Sequence, residues 1–361
     1  MKLSFLNQFR LSRILTSCFL FALFLALCTM AADSAAAEME DAFTQCRELG
    51  RGVNVLGYDP IWESFPQARF KKEYFGVIQR GGFETLRVNL FPFSHMGAEP
   101  DYRLSDSWWQ TMNWIVTNAL AAHLNVIIDL HESDAMAKNA EGNHARLLAF
   151  WGQVAAHFKN APSGVYFEVL NEPNGEMTPD LWNQYLAEAL ATIRKSNPTR
   201  AVIIGPAFWN SIDLEHLNEL KLPDKDRHII VTVHYYTPMD FTHQGAPWVK
   251  PEFKLGVTWD GTSEERGRIE SDFQKLQNWA EQHNRPVFLG EFGAYDKGDM
   301  ASRARYTASV ARTAEHFGWS WAYWQLDGDF ILYNVAKNQW VKPIYNALIS
   351  PPRPVTMKSD G

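Results

Sequence analysis

Short apolar runs rich in β-branched residues alternate along this chain with longer amphipathic stretches. This alternation is typical of repeated βα units built around a parallel sheet. In chain order, the runs that predict strands are 51–55, 84–90, 124–130, 164–170, 200–205, 228–234, 285–290 and 318–324. Eight such units predict an α/β fold of the closed (β/α)8 TIM-barrel type rather than an open sheet.

The stretches between the strands carry the start signals of helices. Thr178 followed by Pro179 predicts an N-cap and a first helical position. Thr262, with Glu265 three residues later, fits a capping box. Asp299 is a third predicted cap. The helix signals therefore fall between the predicted strands, where a barrel requires them.

The two ends of the chain differ from the part between them. Residues 1–37 combine early basic residues, an uncharged apolar run and an Ala-rich site, which predicts a signal peptide or an uncleaved N-terminal membrane anchor. No linker rich in Pro, Ser or Gly interrupts the βα rhythm, so we expect one domain over 38–350 and a flexible tail over 351–361. We expect an exported protein, either periplasmic or secreted, which an uncleaved leader would hold at the membrane.

Composition narrows the classes of partner and cofactor. The formal net charge is −7 and no Lys/Arg cluster is present, which argues against nucleic acid as a partner. Two of the three cysteines lie in the leader and leave only Cys46, so neither an internal disulfide nor a Cys-based zinc site is expected in the mature chain. The glycine-rich segments lack a dinucleotide fingerprint or a P-loop, which predicts no organic cofactor.

Polar and aromatic side chains recur where the predicted strands end. The carboxyl ends of barrel strands meet at one face, which is where the active sites of such barrels lie. Burying many ionisable groups within apolar runs is costly unless they are paired or functional. The residues concerned are Arg87, Asn89, His131, Glu132, Asn171, Glu172, His234, Tyr236, Glu291 and Trp324.

Two of these residues, Glu172 and Glu291, would face each other across the barrel mouth from the fourth and seventh strands. A sugar ring could lie between two such carboxylates. At a separation of about 5 to 5.5 Å, one carboxylate attacks the anomeric carbon while the other protonates the leaving oxygen, and the configuration is retained. The arrangement predicts glycoside hydrolysis.

Six ordered segments resemble glycoside hydrolase family 5, and together they span nearly the whole chain after the leader. They read Leu-Arg-Val-Asn at 86–89, Asp-Leu-His at 129–131, Asn-Glu-Pro at 171–173, His-Tyr-Tyr at 234–236, Leu-Gly-Glu-Phe-Gly at 289–293 and Tyr-Trp at 323–324. Any one of these segments is weak evidence, whereas six in order at successive strand ends are strong evidence. The resemblance implies a retaining enzyme that needs no metal.

The resemblance also implies roles for particular residues. Glu172 would be the general acid/base and Glu291 the nucleophile, with Asn171 bound to the 2-hydroxyl of the sugar. Arg87 and Tyr236 would hold the nucleophile. The remaining implied substrate contacts are His131 and His234, which would line the subsite, and Trp324, which would form its floor. Arg87 could alternatively be a structural ion-pair partner.

The chain departs from the family pattern after His131. Many members carry a second polar residue there, commonly His or Asn, whereas this chain has Glu132. The sequence leaves open whether Glu132 contacts substrate or pairs with a cation. Four tryptophans in loops after strands are equally open between stacking on sugar and packing within the loop: Trp62, Trp209, Trp248 and Trp259.

Other functions compete with hydrolysis. A metal-dependent hydrolase could use His131, Glu132, His234 and Glu291, but the first strand lacks the usual His-x-His pair. A non-catalytic carbohydrate-binding barrel would usually lack one of the two carboxylates, and both are present. The segment 238–248 resembles bacterial members assigned to β-glucan cleavage, which favours β-1,4-glucan as substrate. An exo-acting β-1,3-glucanase and a β-mannanase are the alternatives within the family.

Overall fold

The computed structural model describes residues 41–350, in which eight parallel strands close into a barrel. Each strand pairs with its neighbours in chain order, and β1 pairs with β8 to complete the ring. The strands are β1 (Arg51–Val55), β2 (Thr85–Leu90), β3 (Asn125–Leu130), β4 (Val165–Glu168), β5 (Val202–Ile204), β6 (Ile229–Tyr235), β7 (Val287–Phe292) and β8 (Ser320–Tyr323). The (β/α)8 prediction is confirmed, with no strand end shifted by more than two residues.

Helices follow the strands and cover the outside of the barrel, except α1, which precedes β1 and lies at one end. They are α1 (Ala42–Leu49), α2 (Lys72–Arg80), α3 (Asp106–Ala121), α4 (Ser133–Lys138), α5 (Ala140–His157), α6 (Pro179–Arg194), α7 (Ala207–Asn210), α8 (Leu214–Glu219), α9 (Met239–Thr242), α10 (Ser263–His283), α11 (Met300–His316) and α12 (Lys342–Ile349). Short 3-10 turns occupy Pro60–Trp62, Phe65–Gln67 and Pro92–His95, and a hairpin of β9 (Tyr333–Asn334) and β10 (Gln339–Trp340) follows β8.

The predicted helix starts are confirmed. The side chain of Thr178 accepts a hydrogen bond from the backbone N–H of Leu181 at the start of α6. The side chain of Asp299 accepts one from Ser302 at the start of α11. At the start of α10, Thr262 and Glu265 form a reciprocal capping box. These local bonds satisfy donors that an uncapped helix leaves without partners.

One end of the barrel is closed by α1. The hydroxyl of Ser320, at the start of β8, donates to the carbonyl of Cys46 over 2.6 Å. The thiol of Cys46 lies 3.2 Å from the carbonyl of Val287, at the start of β7. Since both contacts are made at the amino ends of strands, α1 seals that end and leaves the carboxyl end open. The free thiol of Cys46 is buried in this seal.

Apolar packing forms three regions among the described residues, the smallest of which lies around Trp324. A large cluster fills the space between the strands and the outer helices, and a smaller one fills the barrel interior next to α1. The smaller cluster includes Ile127, Tyr166, Ile230 and Phe288, which are fully buried. Above this layer the interior becomes polar, and the polar layer is the site described below.

The predictions for the two chain ends, a leader at 1–37 and a flexible tail at 351–361, concern residues outside the described range. Within 41–350, no helix combines the length and the apolar character that crossing a bilayer requires.

We predict that Thr262→Ala lowers the free energy of unfolding by about 1 kcal/mol, because the first turn of α10 loses its side-chain acceptor. Chemical denaturation monitored by circular dichroism measures this loss. Ser271→Ala, a change to alanine at an exposed position within α10, is the control and should leave stability unchanged or slightly raised. Equal losses in both variants would contradict the role of the capping box.

Candidate active site

All eight residues that the resemblance singles out meet at the open end of the barrel and form one connected set of contacts. Arg87 lies in β2, His234 in β6 and Glu291 in β7, whereas the others lie between one and four residues after the end of a strand. The contacts run from Trp324 through His131 and Asn171 to Arg87, then through Glu291 to Tyr236 and His234, and end at Glu172. Residues from six strands are thereby brought within reach of one small ligand.

The guanidinium of Arg87 is the centre of this set and is completely buried. Its Nε and Nη2 donate to the two carboxylate oxygens of Glu168, each over 2.7 Å. Its Nη1 donates to Glu291 over 2.6 Å and to the side-chain oxygen of Asn54 over 2.8 Å. Although burial disfavours the charge, the neighbouring carboxylates, with Asp129 foremost, hold the pKa of Arg87 well above its usual range.

Asp129 fixes the imidazole of His131. The carboxylate lies 2.6 Å from Nδ1 of His131 and 3.2 Å from Nη2 of Arg87. Burial opposes charge on both residues. Arg87 nevertheless lowers the pKa of Asp129, and Asp129 in turn raises the pKa of His131, so Asp129 and His131 form an ion pair. The ring of His131 then stacks on Trp324, with planes 10° apart. A flat aromatic surface is thus held rigidly beside the carboxylates.

Glu291 is held from both of its oxygens. One oxygen accepts from Arg87, and the other accepts from the hydroxyl of Tyr236 over 2.9 Å. A positive charge and a phenol donor both favour the ionised carboxylate. The carboxylate of Glu291 is therefore fixed in orientation by a cation on one side and a phenol donor on the other.

The glycines on either side of Glu291 are required by close packing. A Cβ at position 290 would lie 2.6 Å from the hydroxyl of Thr232 and 3.0 Å from Nε2 of His234. A Cβ at position 293 would lie 2.6 Å from the carbonyl of Trp324. Side chains at either position would push His234 or Trp324 out of place.

Glu172 has a different environment. Its backbone φ is 43°, in the left-handed region that a residue other than glycine enters at a cost of roughly 1 to 3 kcal/mol. Its Oε1 lies 2.7 Å from Nδ1 of His234, and its side chain is 23% exposed toward the opening. Burial of the group raises the pKa of Glu172 to about 7, against an opposing effect of His131 and Arg87. At neutral pH this carboxyl group can therefore gain or lose a proton.

The two carboxylates are close neighbours. One oxygen of Glu172, one oxygen of Glu291 and a ring nitrogen of His234 all lie within 4.8 Å of one another. The same nitrogen of His234, Nδ1, is 2.7 Å from Glu172 and 3.6 Å from Glu291. The pair is thus arranged around a single point at which a reacting atom could lie.

This trio is also the one group of at least three His, Cys, Asp or Glu side chains within 41–350 that is compact enough to share a metal ion. The alternative metal set of His131, Glu132, His234 and Glu291 does not assemble, because His131 binds Asp129 and Glu132 accepts from the backbone N–H of Phe93 over 2.6 Å. The guanidinium 2.6 Å from Glu291 also disfavours a second cation there.

Four polar residues of the site were not chosen from the sequence. Asn54, Asp129 and Glu168 surround Arg87, and Asn210 contacts His234. Asp129 could have been predicted as a site residue from the sequence, because it lies two residues before His131 and side chains alternate along a strand. Glu168, in the middle of an apolar run, carried the same kind of signal. Asn210 could not have been predicted in this way, because it reaches the site from α7, the short segment after β5.

The structure also shows the contacts of residues whose roles the sequence leaves open. Glu132 contacts neither carboxylate of the pair but bonds to Phe93, and burial raises the pKa of Glu132 to about 7. Trp259 is buried against Tyr306 and belongs to loop packing. Trp62 is also a packing residue, since it stacks on Trp108.

Exposed aromatic side chains remain in the loops at the carboxyl ends of the strands. Trp209, after β5, is 55% exposed, and Trp248, after β6, is 50% exposed. Tyr58, after β1, is 64% exposed and lies close enough to Glu291 and Glu172 to interact with their charges. Rings of this kind suit the faces of sugars.

Comparison with known proteins gives the same family at the level of sequence. A family model described as cellulase (glycosyl hydrolase family 5) matches residues 46–329. Endoglucanase H of Acetivibrio thermocellus is 29% identical over 334 residues, which cover 90% of this chain and 35% of that protein. Endoglucanase B of Clostridium cellulovorans is 28% identical over 265 residues, which cover 68% of this chain and 59% of that protein. The chain thus spans less than two thirds of the length of either relative.

Solved structures match over almost their full length. Endoglucanase Cel5A of Thermotoga maritima superposes with a TM-score of 0.81 at 36% identity, and the match covers 86% of this chain and 100% of that chain. The cellulose synthase subunit Z of Clostridioides difficile has a TM-score of 0.78 at 33% identity, covering 83% of this chain and 99% of that chain. The chain therefore belongs to glycosyl hydrolase family 5, a family of enzymes that cleave glycosidic bonds.

Proposed function

We propose that the protein is a retaining β-glycosidase that cleaves β-1,4-glucan as an endoglucanase or cellodextrinase, with Glu172 as general acid/base and Glu291 as nucleophile. The observation that carries the mechanism is the spacing of the two carboxylates, whose nearest oxygens lie within 4.8 Å. Retaining enzymes hold their carboxyl groups about 5 to 5.5 Å apart, whereas inverting enzymes need about 6.5 to 9.5 Å to admit a water. The spacing here supports direct attack by a carboxylate.

The two environments support this division of roles. Glu291 bonds to Arg87 and Tyr236, which stabilise the anion that must attack. Glu172 is the more exposed of the two side chains, and burial still raises its pKa to about 7. A group with that pKa can donate a proton in one step and accept one in the next.

In the first step, an oxygen of Glu291 forms a bond to the anomeric carbon while the bond from that carbon to the glycosidic oxygen breaks. The proton of Glu172 passes to the departing oxygen, which leaves as the hydroxyl of the new chain end. In the second step, the ionised Glu172 takes a proton from a water molecule whose oxygen attacks the anomeric carbon. The bond to Glu291 then breaks, and both carboxyl groups return to their starting states.

The substrate proposal rests on the loops and on the relatives. Exposed rings at Tyr58, Trp209 and Trp248 offer apolar surfaces to successive sugars of a glucan. One similar structure is titled as an endo-β-1,4-glucanase in complex with substrate, and Thermotoga maritima Cel5A is described in complex with cellobiose. These descriptions favour β-1,4-glucan over β-1,3-glucan.

A second substrate, β-mannan, has a specific observation in its favour. The same Cel5A, at 35% identity, is described in complex with mannotriose as a substrate. A non-catalytic sugar-binding role has no comparable support, because both carboxylates are present and each is held by polar partners. We retain export through residues 1–37, and one domain over 38–350, as proposals.

We predict that Glu172→Gln and Glu291→Gln each lower kcat on cello-oligosaccharides by at least roughly 100-fold, because each step loses a participating carboxyl group. Glu132→Gln is the matched control, a buried carboxyl whose Oε1 only accepts from Phe93, and it should keep most of the activity. Proton NMR of the reducing end, recorded during cleavage of cello-oligosaccharide and manno-oligosaccharide, measures both substrate preference and anomeric configuration. Inverted product, or full activity of either Gln variant, would refute the assignment.

We predict that kcat/KM falls as the pH rises through about 7, because the pKa of Glu172 is raised to about 7 and only its protonated form can act as the acid. A pH profile on an aryl cellobioside measures this basic limb. In Glu172→Ala, a dinitrophenyl leaving group needs no proton, so the limb should disappear for that substrate. If the basic limb persists unchanged in Glu172→Ala, a group other than Glu172 produces it.

A further inference from the structure

Behind His234, on the side away from the two carboxylates, lies a small buried group of polar side chains. Nε2 of His234 is 3.3 Å from the side-chain nitrogen of Asn210. Asn210 is completely buried, and so is Thr232, which precedes His234 by two residues on the same face of β6. The reaction steps described above make no use of Asn210 or Thr232.

Two glycines make room for this arrangement. A Cβ at Gly205, directly after β5, would overlap the side-chain amide of Asn210. A Cβ at Gly290 would lie 3.0 Å from Nε2 of His234. The amide and the imidazole therefore meet in space that only glycine leaves open at both positions.

The backbone around Asn210 is itself unusual. Phe208, Trp209 and Asn210 have φ values of 58°, 60° and 53°, so three successive non-glycine residues are left-handed. Phe208 and Trp209 are turned toward solvent, and Asn210 is turned into the barrel. The N–H of Trp209 donates to the carbonyl of Pro173, next to Glu172. Strain of this kind persists where the surroundings enforce it, and it is common at functional sites.

The hydrogen-bond pattern fixes where the proton of the imidazole lies. Burial lowers the pKa of His234 to about 3, so the ring is neutral and carries one N–H. The amide nitrogen of Asn210 is a donor, so Nε2, which faces it, must accept. The single ring proton is then on Nδ1, which lies 2.7 Å from Oε1 of Glu172.

We propose that Asn210 is a positioning residue for the reaction: by donating its side-chain N–H to Nε2 of His234, it holds the ring proton on Nδ1, where it is donated to Glu172. The inference rests on the proposed function of Glu172 and adds to it. In this tautomer, His234 stabilises the ionised form of Glu172, which is the base of the second step. With the proton on Nε2, Nδ1 would instead accept from the protonated form.

The orientation of the Asn210 amide has a free-energy cost that a purely structural residue would avoid. The side-chain oxygen of Asn210 is buried and has no hydrogen-bond partner among the described residues. Rotating the amide by half a turn would give this oxygen a partner in Nε2–H, but only if the proton moved away from Nδ1. Unsatisfied buried acceptors are rare in folded proteins, and a catalytic role is one of their recognised explanations.

Other charged groups also act on Glu172 and must be held constant in any test. His131, Arg87 and Asp129 face it from neighbouring strands, Asp134 from α4, and Glu291 across the site, with the phenols of Tyr58 and Tyr236 nearby. Among the described residues, the side chain of Asn210 bonds to His234 and to none of these groups, so a change at Asn210 reaches Glu172 through His234.

The decisive experiment is ¹⁵N NMR of the full chain labelled at histidine, with His234 assigned by the loss of its signals in His234→Gln. The wild type should show a protonated Nδ1 and an unprotonated Nε2. In Asn210→Asp, which has the same shape but only acceptor atoms, Nε2 should gain a proton. Thr232→Val, the matched control beside the same nitrogen, should leave the wild-type pattern unchanged. A protonated Nε2 in the wild type, or an unchanged pattern in Asn210→Asp, would overturn the proposal.

Kinetics give a second readout. In Asn210→Leu, Nε2 has no donor, Nδ1 can accept the proton of Glu172, and the basic limb of kcat/KM should move up by roughly one pH unit. An unchanged limb in a folded Asn210→Leu would also overturn the proposal, and if this variant does not fold, the NMR of Asn210→Asp decides. Because the NMR measurement requires no turnover, a wrong assignment of Glu172 would leave its result intact and would appear only in the kinetics.

Discussion

The burial of one positive charge, the guanidinium of Arg87, organises the open end of this barrel. Removing a cation from water is costly, and the cost is offset only by partners with good geometry. Here Asp129, Glu168 and Glu291 supply those partners from three other strands. Because losing one member of a buried ion pair typically costs about 3 to 5 kcal/mol, the strands are tied together by the same interaction that orients the site. The alternative interpretations of Arg87, as ion-pair partner and as site residue, are therefore compatible.

The two carboxylates at the barrel mouth differ because their neighbours differ. Glu291 faces a fixed cation and a phenol donor, so its charged form is favoured. Glu172 leaves β4 on a left-handed turn and faces a neutral imidazole, so burial dominates and its proton is retained more readily. Similar side chains thus suit opposite tasks, and the difference is produced by the residues that surround them.

The sequence predicted the barrel well because the barrel depends on periodicity. The eight apolar runs and the caps at Thr178, Thr262 and Asp299 are local signals, and all of them appear in the structure. The residues at the strand ends could also be found, since each follows its own run. Strand ends shifted because the neighbouring strands, and not the local pattern alone, determine where pairing stops.

What the sequence did not reveal depends on contacts between distant segments. Glu168 and Asn54 meet Arg87 only once the barrel has closed. Asn210 reaches His234 from a left-handed turn that no propensity predicts. Trp259 and Trp209 both lie in loops after strands, yet one is buried and the other exposed, because only tertiary packing separates them.

The central claim is that Glu291 forms a covalent bond to the sugar, and trapping that bond tests it most directly. A 2-deoxy-2-fluoro-cellobioside with a good leaving group slows the second step more than the first, so the intermediate accumulates. Mass spectrometry of the digested protein should then place one fluorocellobiosyl group on the peptide that carries Glu291. A label on a different carboxylate, or no label while natural substrate is cleaved, would contradict the account.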